Sequence, residues 1–136
     1  MASATPRKGT ILLVEYDPAV RQVFERMLGL AGYDVVAARD ASAALRAMAG
    51  AVPAAVLVGL RMPMMNGLEL VRQIRERETN GRHTPIAVIT GDYYLDDTIT
   101  DCLRELQAEL YFKPVWLSDL VQIVDRLVDT PDRDSS

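Results

Sequence analysis

The segment Ile11-Leu12-Leu13-Val14-Glu15-Tyr16-Asp17-Pro18 contains the first structural unit of the chain. Its first four residues are all apolar, which is typical of a strand buried on both faces of a parallel sheet. Asp17 followed by Pro18 predicts the start of a helix, because aspartate caps free N–H groups and proline fits the first helical position. The segment therefore predicts a β–α unit in which Glu15 and Tyr16 follow the carboxyl end of the strand.

The same alternation continues along the chain. Short apolar runs, interpreted as buried strands, occupy residues 11–14, 35–38, 54–58, 86–89 and 110–112. Segments with apolar residues three and four positions apart, interpreted as helices, occupy residues 18–31, 41–48, 67–78, 95–106 and 117–128. This order predicts an α/β domain with a doubly wound, five-stranded parallel sheet, (βα)5. Such sheets carry their sites at the carboxyl ends of the strands.

Composition and charge limit the class of protein. The chain has 136 residues, of which 49% are hydrophobic and 25% charged, and a formal net charge of −4. This balance predicts one globular domain over residues 10–128, with a flexible N-terminus (1–9) and a flexible C-terminal tail (129–136). The negative charge argues against nucleic acid as a partner. We expect a cytoplasmic protein, because no apolar run approaches the roughly 20 residues of a membrane helix.

Single copies of two residue types exclude several kinds of site. Cys102 is the only cysteine and His83 the only histidine. One cysteine cannot form an internal disulfide or a CxxC motif. One histidine cannot build a multi-histidine metal centre.

The residues that follow the predicted strands form four ordered motifs. Their members are Val14-Glu15-Tyr16-Asp17-Pro18, Gly59-Leu60-Arg61-Met62-Pro63-Met64-Met65-Asn66-Gly67, Ile89-Thr90-Gly91 and Phe112-Lys113-Pro114. Together they resemble the acidic start, the phosphorylation loop, the switch-threonine segment and the lysine-proline signature of response-regulator receivers. The resemblance extends from about Thr10 to Val128, and it implies a flavodoxin-like receiver fold and a role in two-component (phosphorelay) signalling.

The resemblance also implies roles for five residues of the cleft. In the family, an acidic pair and the aspartate that ends the third strand bind Mg²⁺, and that aspartate accepts a phosphoryl group. Glu15, Thr90 and Lys113 match their family positions, whereas Tyr16 replaces one acid and Gly59 replaces the phosphoacceptor. Mg²⁺ prefers clustered oxygen ligands, so Glu15 alone is a weak metal ligand. We therefore expect no cofactor, no phosphorylation at residue 59 and no enzymatic activity.

Four aromatic residues near the last two strands are candidates for a partner surface. They are Tyr93, Tyr94, Tyr111 and Trp116. The resemblance implies contacts through the fourth helix, fifth strand and fifth helix, with a protein partner such as a histidine kinase or another signalling protein. A homodimer is a further option.

Three functional hypotheses remain open at this point. The first is a stand-alone, degenerate receiver that acts by protein–protein contact. The second is a phosphorylatable regulator that uses another aspartate, Asp17 or Asp92. The third is a module that binds a small anion near Lys113. Under the first hypothesis, we expect the Lys113 ammonium and the Glu15 carboxylate to approach each other across the cleft.

Overall fold

A computed structural model of the chain describes residues 7–60, 62, 65–78, 83–91, 97–113 and 117–129. Within them, strands and helices alternate throughout. The strands are β1 (Thr10–Val14), β2 (Asp34–Ala38), β3 (Ala55–Gly59), β4 (Ile86–Thr90) and β5 (Ala108–Phe112). The helices are α1 (Pro18–Leu30), α2 (Ala41–Gly50), α3 (Gly67–Arg77), α4 (Asp97–Glu105) and α5 (Leu117–Asp129).

The five strands form one parallel sheet in the order β2-β1-β3-β4-β5. Its two faces carry separate cores. Ile11 and Leu13 of β1 pack with residues of α1 and α5, whereas Leu12 and Val14 pack with residues of α2, α3 and α4. This alternation follows from the two-residue period of a strand. The predicted doubly wound, flavodoxin-like receiver fold is confirmed.

Burial differs between the central and the edge strands. All five residues of β3 and of β4 are buried. In β2 only Ala38 is buried, and Val36 is 43% exposed. The prediction that every apolar run is a fully buried strand is therefore wrong for β2 and for β5, where Phe112 is 40% exposed, because each is an edge strand with a neighbour on one side only.

Among the residues that the structure describes, polar side chains cap three helices at their N-termini. Asp17 Oδ1 accepts a hydrogen bond from the Ala19 N–H at 2.9 Å, which confirms the cap expected from the Asp-Pro pair. Asp40 caps α2 in the same way, and Asn66 caps α3. Each cap satisfies a backbone donor that the first helical turn leaves without a partner.

Residues 7–9 contact the loop between α1 and β2. The Lys8 N–H donates to the Gly32 carbonyl at 2.9 Å, and the Asp34 N–H donates to the Gly9 carbonyl at 3.0 Å. Arg7 also donates to the Gly29 carbonyl at 3.1 Å. The packed structure thus includes Arg7, three residues before the boundary predicted at Thr10. In the described ranges, no helix is long and apolar enough to cross a membrane.

Candidate functional site

The carboxyl ends of β1, β3, β4 and β5 surround a cavity of about 450 Å³. Among the described residues, its lining consists of Glu15, Gly59, Leu60, Ile89, Thr90, Gly91 and Lys113. Four of the five cleft residues expected from the motifs thus meet in one place. Tyr16, the fifth, is not part of the lining, and it is 53% exposed.

Glu15 is a buried carboxylate with fixed partners. Its backbone N–H donates to the Ala38 carbonyl at 3.0 Å, so Glu15 extends the pairing of β1 with β2. Its side chain is turned inward, where Oε2 accepts the Asp17 N–H at 3.0 Å. Arg21 Nη1 on α1 donates to the Glu15 carbonyl at 2.9 Å. These bonds hold both the backbone and the carboxylate of Glu15 in one position.

Lys113 lies opposite Glu15 at the end of β5. Its backbone N–H donates to the Thr90 carbonyl at 2.7 Å, and its side chain passes close to Gly91. The Nζ atom then lies 3.5 Å from Glu15 Oε1, with the lysine side chain 36% and the glutamate side chain 9% exposed. The approach of Lys113 to Glu15 that the sequence predicts is confirmed.

Gly59 ends β3 beside the Glu15 carboxylate. A Cβ atom added to Gly59 would lie 3.2 Å from Glu15 Oε1 and 3.6 Å from Oε2. The glutamate carboxylate therefore lies directly against the point from which any side chain at residue 59 would start. Thr90 ends the neighbouring strand and is buried, with 3% exposure.

The loop after β3 is joined closely to the start of α3. The Gly67 N–H donates to the Leu60 carbonyl at 2.7 Å. A Cβ atom on Gly67 would lie 2.7 Å from the Gly59 carbonyl oxygen, so only glycine allows this approach of the two backbones. The contact fixes the end of β3, and with it the position of Gly59 in the cleft.

The ligand set for Mg²⁺, which the resemblance implies, is not found in the described part of the chain. No three His, Cys, Asp or Glu residues cluster there in a way that could hold a metal ion. Both carboxylate oxygens of Glu15 already have a partner, and Asp17 Oδ1 caps α1. The described residues of the cleft therefore do not supply the several oxygen ligands that a hard cation needs.

The predicted partner face is described only in part. Tyr93, Tyr94 and Trp116 lie outside the described residues, as does Asp92, one of the alternative acceptors. Tyr111 is partly buried, and its hydroxyl donates to the Glu109 carboxylate.

Arg126 of α5 completes a cluster on this face that sequence reasoning missed. Its Nη2 donates to Glu109 Oε1 at 3.1 Å, and its guanidinium lies 5.7 Å from the centre of the Tyr111 ring. The two-residue spacing of Glu109 and Tyr111 on β5 indicates that they share a face. Their contact with α5 has no signal in the sequence.

Comparisons with known proteins agree with this architecture. A model of the response regulator receiver domain matches residues 11–125. The sensory/regulatory protein RpfC of Xanthomonas campestris pv. campestris (strain 8004) is 33% identical over 129 residues, which are 93% of this chain and 18% of that protein. Response regulator MprA of Mycolicibacterium vanbaalenii is 35% identical over 127 residues, which are 90% of this chain and 52% of that protein. The chain thus spans about a fifth of the length of RpfC and about half of the length of MprA.

A solved structure shows the same fold. Chemotaxis protein CheY4 of Vibrio cholerae superposes with a TM-score of 0.78 at 24% identity, over 90% of this chain and 99% of that one. The family model matches residues 11–125, which include, apart from Thr10, the parallel sheet and the cleft at the carboxyl ends of its strands. This chain belongs to the response regulator receiver domain family, the receiver domains of two-component signalling.

Proposed function

We propose that this receiver domain acts through protein–protein contact and is not phosphorylated at the end of β3. The observation that carries the proposal is the pairing of Glu15 with Lys113 beside Gly59. Residue 59 has no side chain that could accept a phosphoryl group. Among the described residues, the carboxylate nearest to it is that of Glu15, which is 7% exposed and bonded to Lys113 and to the Asp17 N–H. Each of its oxygens accepts from one of these donors, and the burial of the carboxylate further limits access of a phosphoryl donor to it.

Phosphorylation with a small-molecule donor tests the proposal. The protein is incubated with acetyl phosphate and Mg²⁺, and its intact mass is measured. We expect an unchanged mass. The variant Gly59→Asp/Tyr16→Asp serves as the internal positive control, since it restores the acceptor and the second acid of the family pattern. A stable adduct of one phosphoryl group on the wild type would overturn the proposal.

Asp17 and Asp92 are the alternative acceptors that this experiment must separate. Asp17 caps α1 through Oδ1, which accepts the N–H groups of Ala19 and Val20 at 2.9 and 3.4 Å. Phosphorylation of Asp17 would disrupt this cap. If an adduct forms, Asp17→Asn and Asp92→Asn assign it to a residue.

Partner contact is tested by affinity capture from the source cell. The wild type and Gly59→Asp are compared as baits, with attention to histidine kinases and other signalling proteins. We expect the same partner on the wild type with and without acetyl phosphate. A partner that binds only after phosphoryl-donor treatment would contradict the proposal.

The proposal also includes stand-alone action in the cytoplasm, without a cofactor. An immunoblot of fractionated source cells tests the size and the location of the protein. We expect a cytoplasmic band at the size of the 136-residue chain. A larger band would show that the receiver acts within a longer protein. Light scattering measures whether the domain forms a homodimer.

A further inference from the structure

Gly59 and Glu15 fit each other sterically at the floor of the cleft. The Glu15 carboxylate lies so close to Gly59 that an added Cβ would meet Oε1 at 3.2 Å, a tighter contact than is usual for a Cβ atom. Glu15 cannot retreat freely, because Oε2 holds the Asp17 N–H and Arg21 holds the Glu15 carbonyl. A side chain at residue 59 would therefore require the Glu15 carboxylate to shift by a few tenths of an ångström from its observed position.

The same carboxylate also provides the charge that Lys113 needs. The ammonium reaches into the cavity, and Glu15 Oε1 is the partner at 3.5 Å. A partly buried ammonium without a counter-ion would lose hydration without compensation. Glu15 therefore fixes the lysine side chain and supplies the opposite charge to it among the described residues of the cleft.

We infer that Glu15 substitutes for the acid that is missing at the end of β3. Gly59 and Glu15 then form a coupled pair that fixes the position of the Lys113 side chain without a phosphoryl group or a divalent cation. This inference deepens the proposed function and rests on it, since it explains how the cleft is held in one state when phosphorylation is absent. Glu15 is a positioning residue for Lys113. An acidic side chain at residue 59 would compete with Glu15 for the same space and the same ammonium.

A double-mutant cycle between residues 59 and 15 tests the coupling. The four proteins are the wild type, Gly59→Asp, Glu15→Gln and the double variant, and urea unfolding gives the unfolding equilibrium constant of each. Replacing glycine also changes the entropy of the unfolded chain, but this contribution cancels because it is present in both backgrounds. The cycle therefore isolates the interaction of the two side chains.

We expect Gly59→Asp to be tolerated better once Glu15 is neutral. Two carboxylates against one ammonium repel each other, whereas the introduced aspartate alone can take over Lys113. The coupling should change the unfolding constant by at least about threefold, in the direction of mutual compensation. A parallel cycle with Gly59→Ala should give a smaller coupling, because the methyl group brings crowding without charge.

Two controls separate this effect from general changes in charge or backbone. Glu25→Gln removes an exposed carboxylate from α1 and should show no coupling with Gly59→Asp. Gly29→Ala adds a methyl group where nothing lies within 4 Å, so it should be independent of Glu15→Gln.

A crystal structure of Gly59→Asp/Glu15→Gln gives a second readout. We expect Lys113 Nζ within salt-bridge distance of the introduced carboxylate. Additive effects in the aspartate cycle, or a lysine that stays away from the new acid, would overturn the inference. Either result would leave the proposed function untouched. That function is tested separately, by the intact mass of the wild type after treatment with acetyl phosphate.

Discussion

Lys113 Nζ lies 3.5 Å from Glu15 Oε1, although the two residues are 98 positions apart in the sequence. The pair joins the end of β5 to the end of β1 across the cleft. It is a polar contact between two residues that line the cavity.

The first prediction concerns the strength of this pair. Glu15→Gln should lower the free energy of unfolding by about 1 kcal/mol, less than is usual for hydrogen bonds to charged groups, because Lys113 is partly exposed and the distance is long. Lys113→Met should cost about the same in the wild type and much less after Glu15→Gln, since its partner is then neutral. Urea unfolding of the four proteins measures the coupling. Additive costs would show that the two groups do not interact in solution.

The second prediction concerns repair of phosphorylation. Gly59→Asp restores a nucleophile, but Tyr16 still leaves the metal site short of an acid and Glu15 still holds Lys113. We expect slow phosphorylation by acetyl phosphate with Mg²⁺ from this single change, and clearly faster phosphorylation when Tyr16→Asp is added. Time-resolved intact mass measures both rates. Equal rates in the single and double variants would contradict the role given to Tyr16.

A third prediction concerns Mg²⁺ itself. The melting temperature of the wild type should not respond to MgCl₂ beyond a NaCl control of equal ionic strength, because Glu15 is already paired. Gly59→Asp/Tyr16→Asp should gain about 4 °C at a Mg²⁺ concentration about ten times Kd, since a cation that binds only the folded state stabilises it. A specific Mg²⁺ shift in the wild type would show that the cleft holds a metal.

A fourth prediction concerns Arg75, which links three segments. Its side chain is 9% exposed and pairs with Glu78 at 2.9 Å, and it donates to the Leu106 and Thr84 carbonyls at 2.7 and 2.9 Å. Arg75→Met should lower the free energy of unfolding by about 3 kcal/mol, because it removes the partner of two partly buried carbonyl groups and leaves the Glu78 carboxylate with the Thr84 N–H but without its counter-charge.

Arg72 on the same helix is the matched control for Arg75. Its pair with Glu69 has the same three-residue spacing, but both side chains are 42% exposed. Arg72→Met should therefore cost less than about 1 kcal/mol. Similar losses in the two variants would show that burial does not set the strength of these pairs.

The fifth prediction concerns the alkaline limit of stability. Burial, and then the hydrogen bond to the Asp125 carboxylate, raise the pKa of Tyr33 above its ordinary value. The folded state thus favours the neutral phenol, and the stabilisation is complete below the tyrosine pKa of the unfolded chain, about 10. It is lost as the pH rises from there toward the raised pKa, since the unfolded chain then releases the proton more readily.

Tyr33→Phe keeps the ring on which Lys8 packs and removes only the hydroxyl. Urea unfolding between about pH 8 and pH 11 should show a steeper loss of stability in the wild type than in this variant. Parallel pH profiles would mean that the hydroxyl titrates alike in the folded and unfolded chains.

The sequence by itself determined the local features of this protein. The period of apolar residues specified the β–α units, and Asp17 and Asp40 marked two helix starts through side-chain contacts within three residues of each cap. The glycine at residue 59 is likewise readable from the sequence, because a missing side chain needs no context. These features depend on neighbours along the chain, which a linear pattern records.

Only the tertiary structure decided which distant groups meet. It made β2 an edge strand, which exposed Val36. It turned the Glu15 side chain into the cleft, whereas Tyr16 is exposed to solvent. It also brought Arg75 to the carbonyl groups of Leu106 and Thr84. The Glu15 carboxylate beside Gly59 belongs to the same class of fact, since it depends on β1 and β3 being neighbours in the sheet. Contacts of this kind arise from packing between elements, and the local pattern of each element is the same whether or not they form.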